Sequence, residues 1–226
     1  MLRFLTTCVY PENLSNKELN NAQNSLNSQL LILLLSCLRY YPESTFFIFT
    51  NKRDYLISFI STFNQLKNLN IKVIPEDNEC ELKHCKNHSG EHFTYAFCKL
   101  DAIHYYKKSK YYIQNKNIIL SDLDSILLPK EKKHLKFNMS QIPVALSYKC
   151  EIEYGNNLHK VINLINKNTP LEKIKNKLTD HWINSGFLIL NNHMINSIES
   201  FSEKLVENLR NKREYIKTEL DHYSDE

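Results

Sequence analysis

Glycine is nearly absent from this chain. Gly90, Gly155 and Gly186 are the only three in 226 residues. No G-x-G-x-x-G turn can be drawn through them, which argues against a dinucleotide site of the Rossmann kind. No G-x-x-x-x-G-K-[ST] loop exists, which excludes a P-loop NTPase. If phosphates bind here, a metal and side chains must do what glycine-loop amides do elsewhere. Long apolar runs are missing as well. The longest spans Leu30 to Leu35, with Cys37 and Leu38 beyond it, far short of the ~20 residues a membrane span needs. The first eight residues have no apolar h-region and lead into a strand pattern, so no signal peptide is expected. No Pro/Gly/Ser-rich linker divides the chain, and no internal repeat is visible. Charge of one sign is scarce too. The net charge is +4, and the densest basic cluster, Lys130 to His134, is broken by Glu131. That pattern reads as solvated surface and gives no nucleic-acid patch.

What is present fits one globular domain. Hydrophobic residues make up 42% and charged residues 24%, enough for a good core at this length. The six cysteines are irregularly spaced, and read as reduced thiols in a cytoplasmic protein. Strand and helix patterns alternate through the first half. Strands are expected at residues 4–10, 46–50 and 71–74, closed by Pro75, and helices at 22–41, stopped by Pro42, and at 55–66. A polar loop runs to about 92. A helix over 93–106 follows, with Phe97, Leu100, Ile103 and His104 on one side, and then a strand. This β-α-β-α-β-loop-α-β order implies a mostly parallel sheet with helices on both faces. The second half suggests strands at 142–148 and 187–190, helical pattern over 158–178 broken at Pro170, and a helix over 195–212.

The strand after the third helical pattern carries the chemistry. Ile118, Ile119 and Leu120 lead through Ser121 into Asp122-Leu123-Asp124, and Ile126 to Leu128 follow. Side chains alternate along a strand. If the extended form reaches Asp124, both carboxylates leave one side. Two anions that close need a cation between them. Oxygen-rich pairs suit Mg²⁺ or Mn²⁺, which in turn suits a bound phosphate. The bland reading is a turn after a strand, with Asp122 capping and Asp124 solvated.

Further motifs stand in order along the chain. Phe4 to Tyr10 and Phe97-Cys98-Lys99-Leu100-Asp101-Ala102 precede the D-x-D strand. His181-Trp182-Ile183-Asn184-Ser185-Gly186-Phe187-Leu188-Ile189-Leu190-Asn191 follows it. Together they resemble the GT-A fold nucleotide-sugar glycosyltransferases, in particular the glycogenin and lipopolysaccharide galactosyltransferase group. The D-x-D strand and the N-S-G strand are the specific parts. The resemblance covers nearly the whole chain.

The resemblance implies an α/β, GT-A (Rossmann-like) mostly parallel sheet with helices on both faces. It implies a single catalytic domain over 1–226, with a nucleotide-binding half to about 128 and an acceptor half beyond it. The implied activity is metal-dependent transfer of a hexose from a nucleotide-diphosphate sugar, a UDP-sugar first, to a glycan, lipid or protein acceptor. Asp122 and Asp124 would hold Mn²⁺ or Mg²⁺, one directly and the other partly through the donor ribose, with Asp122 also counted among the donor-binding residues. Thr6, Thr7 and Tyr10 would contact the nucleoside, and Lys99 the diphosphate. Asn184, Ser185 and Gly186 would fix the donor sugar, and Asp225 or Glu226 would face the acceptor. The N-S-G likeness favours retention at the anomeric carbon. The group takes a third metal ligand, a histidine, from further along than this sequence reaches. His222 substitutes, or water fills the position, or the sequence is a piece of a longer protein.

Residues taken alone leave other readings open. Gly186 at a strand mouth permits close approach of a ligand, or simply makes a tight turn. Trp182, the one tryptophan, can stack on a sugar or fill a core. The loop over 80–92 carries Cys80, His84, Cys85, His88 and His92; it reads as a lid over the donor, or as a zinc site of unusual spacing. A D-x-D phosphatase of the haloacid dehalogenase type is the rival enzyme. Ile126 stands where that motif carries a hydroxyl, and three β/α units precede a motif that normally opens the domain. A non-catalytic nucleotide-sugar binder is the third alternative.

Overall fold

The computed structural model describes residues 1–11, 15–77, 80–82, 98–127, 145–148 and 182–200, with backbone pairing alone for 145–148 and 182–187. Six strands form one sheet: β1 Arg3–Thr7, β2 Thr45–Phe49, β3 Asn70–Ile74, β4 Ile118–Ser121, β5 Ala145–Tyr148 and β6 Trp182–Leu190. Their order is β3-β2-β1-β4-β6-β5. The β3–β2, β2–β1 and β1–β4 pairs are parallel; β6 runs antiparallel to both β4 and β5. The sheet is therefore mostly parallel with one reversed strand. Its order turns back between β1 and β4, which is where open α/β sheets bind ligands, outside the carboxyl ends of the strands.

Helix α1 is Asn16–Tyr40, beginning earlier than the apolar pattern predicts. The reason is a polar capping box: the Ser15 amide donates to the Glu18 carboxylate at 3.2 Å, which satisfies an end the apolar stripe does not mark. Leu30, Leu33, Leu34 and Cys37 are fully buried, about 1.5–3 kcal/mol for each leucine. The helix stops before Pro42, where the Tyr41 amide donates to Cys37 O at 2.7 Å. Helix α2 is Arg53–Ser61, followed by a 3₁₀ turn over Asn64–Asn68 where one longer helix was expected. Helix α3 is Cys98–Lys108, and a last helix, α4, occupies 192–200.

The sheet is covered on both faces, as its near-continuous apolar strands require. Phe4, Phe46, Ile48, Ile119 and Ile189 pack with α1 and α2 in one cluster. Leu5, Phe47, Phe49, Ile118, Leu120 and Leu190 pack with α3 and α4 in the other. Glu199 joins α4 to α3 through His104 Nδ1 at 3.0 Å and the Lys107 ammonium.

The expected strand at 187–190 extends back to Trp182, so Asn184, Ser185 and Gly186 lie inside β6. The expectation of six reduced cysteines is corrected. Cys8, Cys37 and Cys80 are thiols outside any disulfide, whereas Cys98 is disulfide-bonded. The expected helical region at 158–178 and the residues beyond 200 fall outside the described residues.

Candidate functional site

Strand β4 ends at Ser121, and the chain then turns. The Ser125 amide donates to Asp122 O at 3.3 Å. Leu123 and Leu127 both drop into the α1-side core. The Leu127 amide donates to Ser36 Oγ at 3.0 Å, and Ser36 donates to Leu33 O at 2.7 Å. Asp124 and Ile126 are left exposed. The extended form therefore does not reach Asp124; of the two readings, the turn with a solvated Asp124 is the one the backbone follows. Burying Leu123 and Leu127 on the same side requires a turn, and the turn breaks the strand alternation.

Asp122 meets Lys99 across the mouth of the sheet. Lys99 Nζ lies 2.8 Å from Asp122 Oδ1, and the two side chains are 12% and 31% exposed. Helix α3 holds Lys99 in its first turn on the same face as Ala102, Ile103 and Tyr106, which pack that face against the sheet. Asp101, one turn on from Cys98, is also buried.

The N-S-G segment reaches the same place along β6. Ser121 pairs with Phe187, and continuing that register by one residue sets Gly186 opposite Asp122. On its other side, β6 pairs Leu188 with Ala145 and Ile183 with Ser147. Four residues, Asn184 to Phe187, thus stand against Leu146 alone. This is a pronounced bulge, of the kind that re-aims side chains beside active sites. A glycine within a strand marks a bulge or a close approach, and Gly186 lies within this bulge.

The first-strand residues are placed unevenly. Thr6 is fully buried and its hydroxyl has no hydrogen-bond partner. Thr7 is half-buried at the strand end. The Tyr10 side chain is 1% exposed. Its hydroxyl donates to Asn27 Oδ1 at 2.8 Å, and its ring meets Tyr55 edge-on. Burial raises the Tyr10 phenol far above its ordinary pKa. Asn51 grips the Tyr10 backbone twice: Oδ1 accepts from Tyr10 N at 2.8 Å, and Nδ2 donates to Tyr10 O at 2.9 Å. Within this segment, Thr7 and the backbone are what the strand mouth presents.

A cavity of about 270 Å³ opens at the ends of β2 and β3, lined by Asn51, Lys52, Arg53, Asp54, Asp77 and Cys80 among others. It lies on the same edge of the sheet as Asp122. Two strand spacings, roughly 10 Å, separate the ends of β2 and β4. Sequence reading missed these residues. Their signal was a Thr50-Asn51-Lys52-Arg53 run, polar and basic, directly after an all-buried strand.

Among the described residues no group of three His, Cys, Asp or Glu side chains could hold a metal. Asp122 and Asp124 supply hard oxygen donors. Mg²⁺ is commonly held by one or two carboxylates with substrate phosphates completing the shell, so the pair fits that ion. Asp225, Glu226 and His222 lie outside the described residues, as does the 83–92 part of the expected lid or zinc loop. For Asn184 and Ser185 the structure gives the backbone course.

Solved structures share this architecture over most of the chain. The galactosyltransferase LgtC, in complex with donor and acceptor sugar analogues, matches with a TM-score of 0.51 at 9% identity, covering 97% of this chain and 66% of that one. An active-site mutant of LgtC matches with a TM-score of 0.52 at 11% identity, covering 92% of this chain and 65% of that one. The chain thus spans just under two thirds of the length of these structures. No protein-family model matches the sequence, and no curated protein matches it. At such identities the likeness is one of fold, and the fold is the α/β, GT-A (Rossmann-like) type.

Proposed function

We propose that this GT-A-fold chain is a glycosyltransferase that moves a hexose from a nucleotide-diphosphate sugar, a UDP-sugar first, to a glycan, lipid or protein acceptor. The observation that carries the reading is the Lys99–Asp122 ion pair at the end of β4, where the strand order turns back, beside the strand whose bulge contains the N-S-G segment. A carboxylate, an ammonium and a strand segment opened for close approach suit a diphosphate with a sugar attached.

Each residue has a task in this reading. Asp122 and Asp124 would hold Mn²⁺ or Mg²⁺, which when bound neutralises the diphosphate and stabilises it as a leaving group. Lys99 adds a second cation against the phosphates. Thr7 and the backbone around Cys8 to Tyr10, held by Asn51, border the nucleoside, which would extend over β1 towards the β2–β3 cavity. Asn184 and Ser185 offer donors and acceptors to the sugar hydroxyls, and Gly186 leaves room for the ring. Asp225 or Glu226 would face the acceptor. Retention at the anomeric carbon and a cytoplasmic location belong to the same proposal. No helix of the described residues is long and apolar enough to cross a membrane.

The test is incubation with UDP-glucose, UDP-galactose and Mn²⁺, reading released UDP, beside an Asp122→Asn control. Turnover that needs Asp122 supports the proposal. Failure of every nucleotide-sugar to bind or react overturns it, and binding without turnover across an acceptor panel makes the chain a non-catalytic binder. Hydrolysis of p-nitrophenyl phosphate that disappears in Asp122→Asn would point instead to the phosphatase.

A further inference from the structure

Asp122 already has a cation. Lys99 Nζ is in full contact with Oδ1 at 2.8 Å, and the lysine side chain is only 12% exposed. An ammonium so placed takes up part of the negative charge that a divalent ion, held at about 2.0–2.1 Å in the case of Mg²⁺, would draw on. The two positive charges would also stand a few ångströms apart and repel. Asp124 lies beyond the turn and is exposed, so it offers the metal a weaker, solvated hold by itself.

We infer that Lys99 is the resident counter-ion of Asp122 and competes with the divalent metal for that carboxylate, and that a donor diphosphate relieves the competition by taking the ammonium. The second half rests on the nucleotide-diphosphate reading above; the first half does not. A lysine suits this exchange. Its charge is compact and its four-carbon stem flexible, so the ammonium can leave Asp122 for a phosphate oxygen while α3 stays in place. The stem remains packed either way. Metal and donor then bind cooperatively, and the coupling is reciprocal: whatever factor the diphosphate adds to metal affinity, the metal adds to diphosphate affinity. The metal alone binds weakly, so the site is armed only when donor is present.

The test is Mn²⁺ binding followed by the electron paramagnetic resonance of free Mn²⁺, on the full chain, with and without UDP. Wild type is compared with Lys99→Met, Lys99→Gln, Asp122→Asn and the double variant Lys99→Met/Asp122→Asn, with circular dichroism as the check on folding. Without nucleotide, Lys99→Met should bind Mn²⁺ about tenfold or more tightly than wild type, and the double variant Lys99→Met/Asp122→Asn should lose that gain. The tightening of Mn²⁺ by UDP should be larger in wild type than in Lys99→Met. Lys99→Gln serves if the Met variant fails to fold. Equal or weaker Mn²⁺ binding in the folded Lys99 single variants without nucleotide overturns the inference. So does a complete absence of Mn²⁺ binding in every variant, with or without UDP. UDP-sugar turnover measured on the same wild-type samples separates the two proposals. Turnover without competition sinks this inference alone, and competition without any nucleotide-sugar binding sinks the functional reading and the UDP half alone.

Discussion

Ser36→Ala removes one oxygen from the junction between α1 and the turn after β4. That hydroxyl belongs to a residue 9% exposed, donates to Leu33 O at 2.7 Å and accepts from the Leu127 amide at 3.0 Å. Losing the bond to Leu33 O matters little, because helix carbonyls keep their ladder partner. Losing the acceptor strands a buried amide, which costs about 1–3 kcal/mol. At about 2 kcal/mol, a chain of this size should lose roughly 4–8 °C in Tm. The local effect is sharper. Hydrogen exchange at the Leu127 amide should speed up roughly 30-fold, the factor corresponding to ~2 kcal/mol, while amides at the centres of β1 and β2 change by no more than the global loss. The consequence reaches the site, since Leu123 and Leu127 are the two anchors of the segment carrying Asp124. Metal or donor binding that depends on Asp124 should weaken with it. A variant with wild-type Tm and unchanged Leu127 protection would refute the argument that Ser36 secures this turn.

Asn51→Ala should destabilise the protein by about 1–3 kcal/mol in chemical denaturation, since it releases both backbone bonds of Tyr10; Asn51→Asp should be no better, because it sets a carboxylate against the Tyr10 carbonyl. A wild-type midpoint for Asn51→Ala would contradict this. At Glu199, burial pushes the carboxyl pKa up, but hydrogen bonds from Lys107 and His104 outweigh it and hold the group below the usual carboxylate range. Its contribution is therefore present above the unfolded value of about 4.3 and fades as pH falls through the lower folded value. The stability gap between wild type and Glu199→Gln should be constant above about pH 5.5, one unit clear of that reference, and shrink in acid; a gap that widens in acid would reverse the assignment. Burial pushes the Cys8 thiol up to about 11 and the Cys37 thiol up to about 12, so at pH 8 iodoacetamide should modify half-buried Cys80 first. Peptide mapping that finds Cys8 or Cys37 alkylated as fast as Cys80 in the folded protein would show the core to be open there.

The sequence made the parallel core legible because its strands are short apolar runs between amphipathic helices, and sheet order follows from that alternation. It also located Asp122, since an apolar strand ending in a carboxylate needs little beyond the strand itself to present it. The turn was legible only as one of two readings, because nothing local shows that α1 supplies Ser36 to the Leu127 amide from 91 positions away. The Lys99–Asp122 pair leaves no periodic trace, because the two residues come from separate elements. The same holds for Tyr10, whose burial depends on Asn27 and Tyr55, and for the β6 bulge, which is a property of the β5–β6 register. Local pattern reported each element's interior. The site is built from ends, where partners distant in sequence decide.

The reversed strand β6 also bears on how the protein reaches its native state. The β1–β2 and β2–β3 ladders join residues some 25 to 42 positions apart, such as Phe49 with Ile74 and Arg3 with Thr45. The ladder that brings the N-S-G segment to Asp122 joins Ser121 with Phe187, 66 positions apart. Closing a longer loop costs more chain entropy before any contact rewards it. The β1–β2 and β2–β3 ladders can therefore zip early, while the free edge of β4 is closed only when β6 threads between β4 and β5. A ribosome-bound or proteolysed chain ending before residue 182 would still carry Asp122 and Lys99, yet would leave the β4 edge unpaired and exposed to other chains. The segment that the proposed site takes from β6 belongs to the strand that closes that edge.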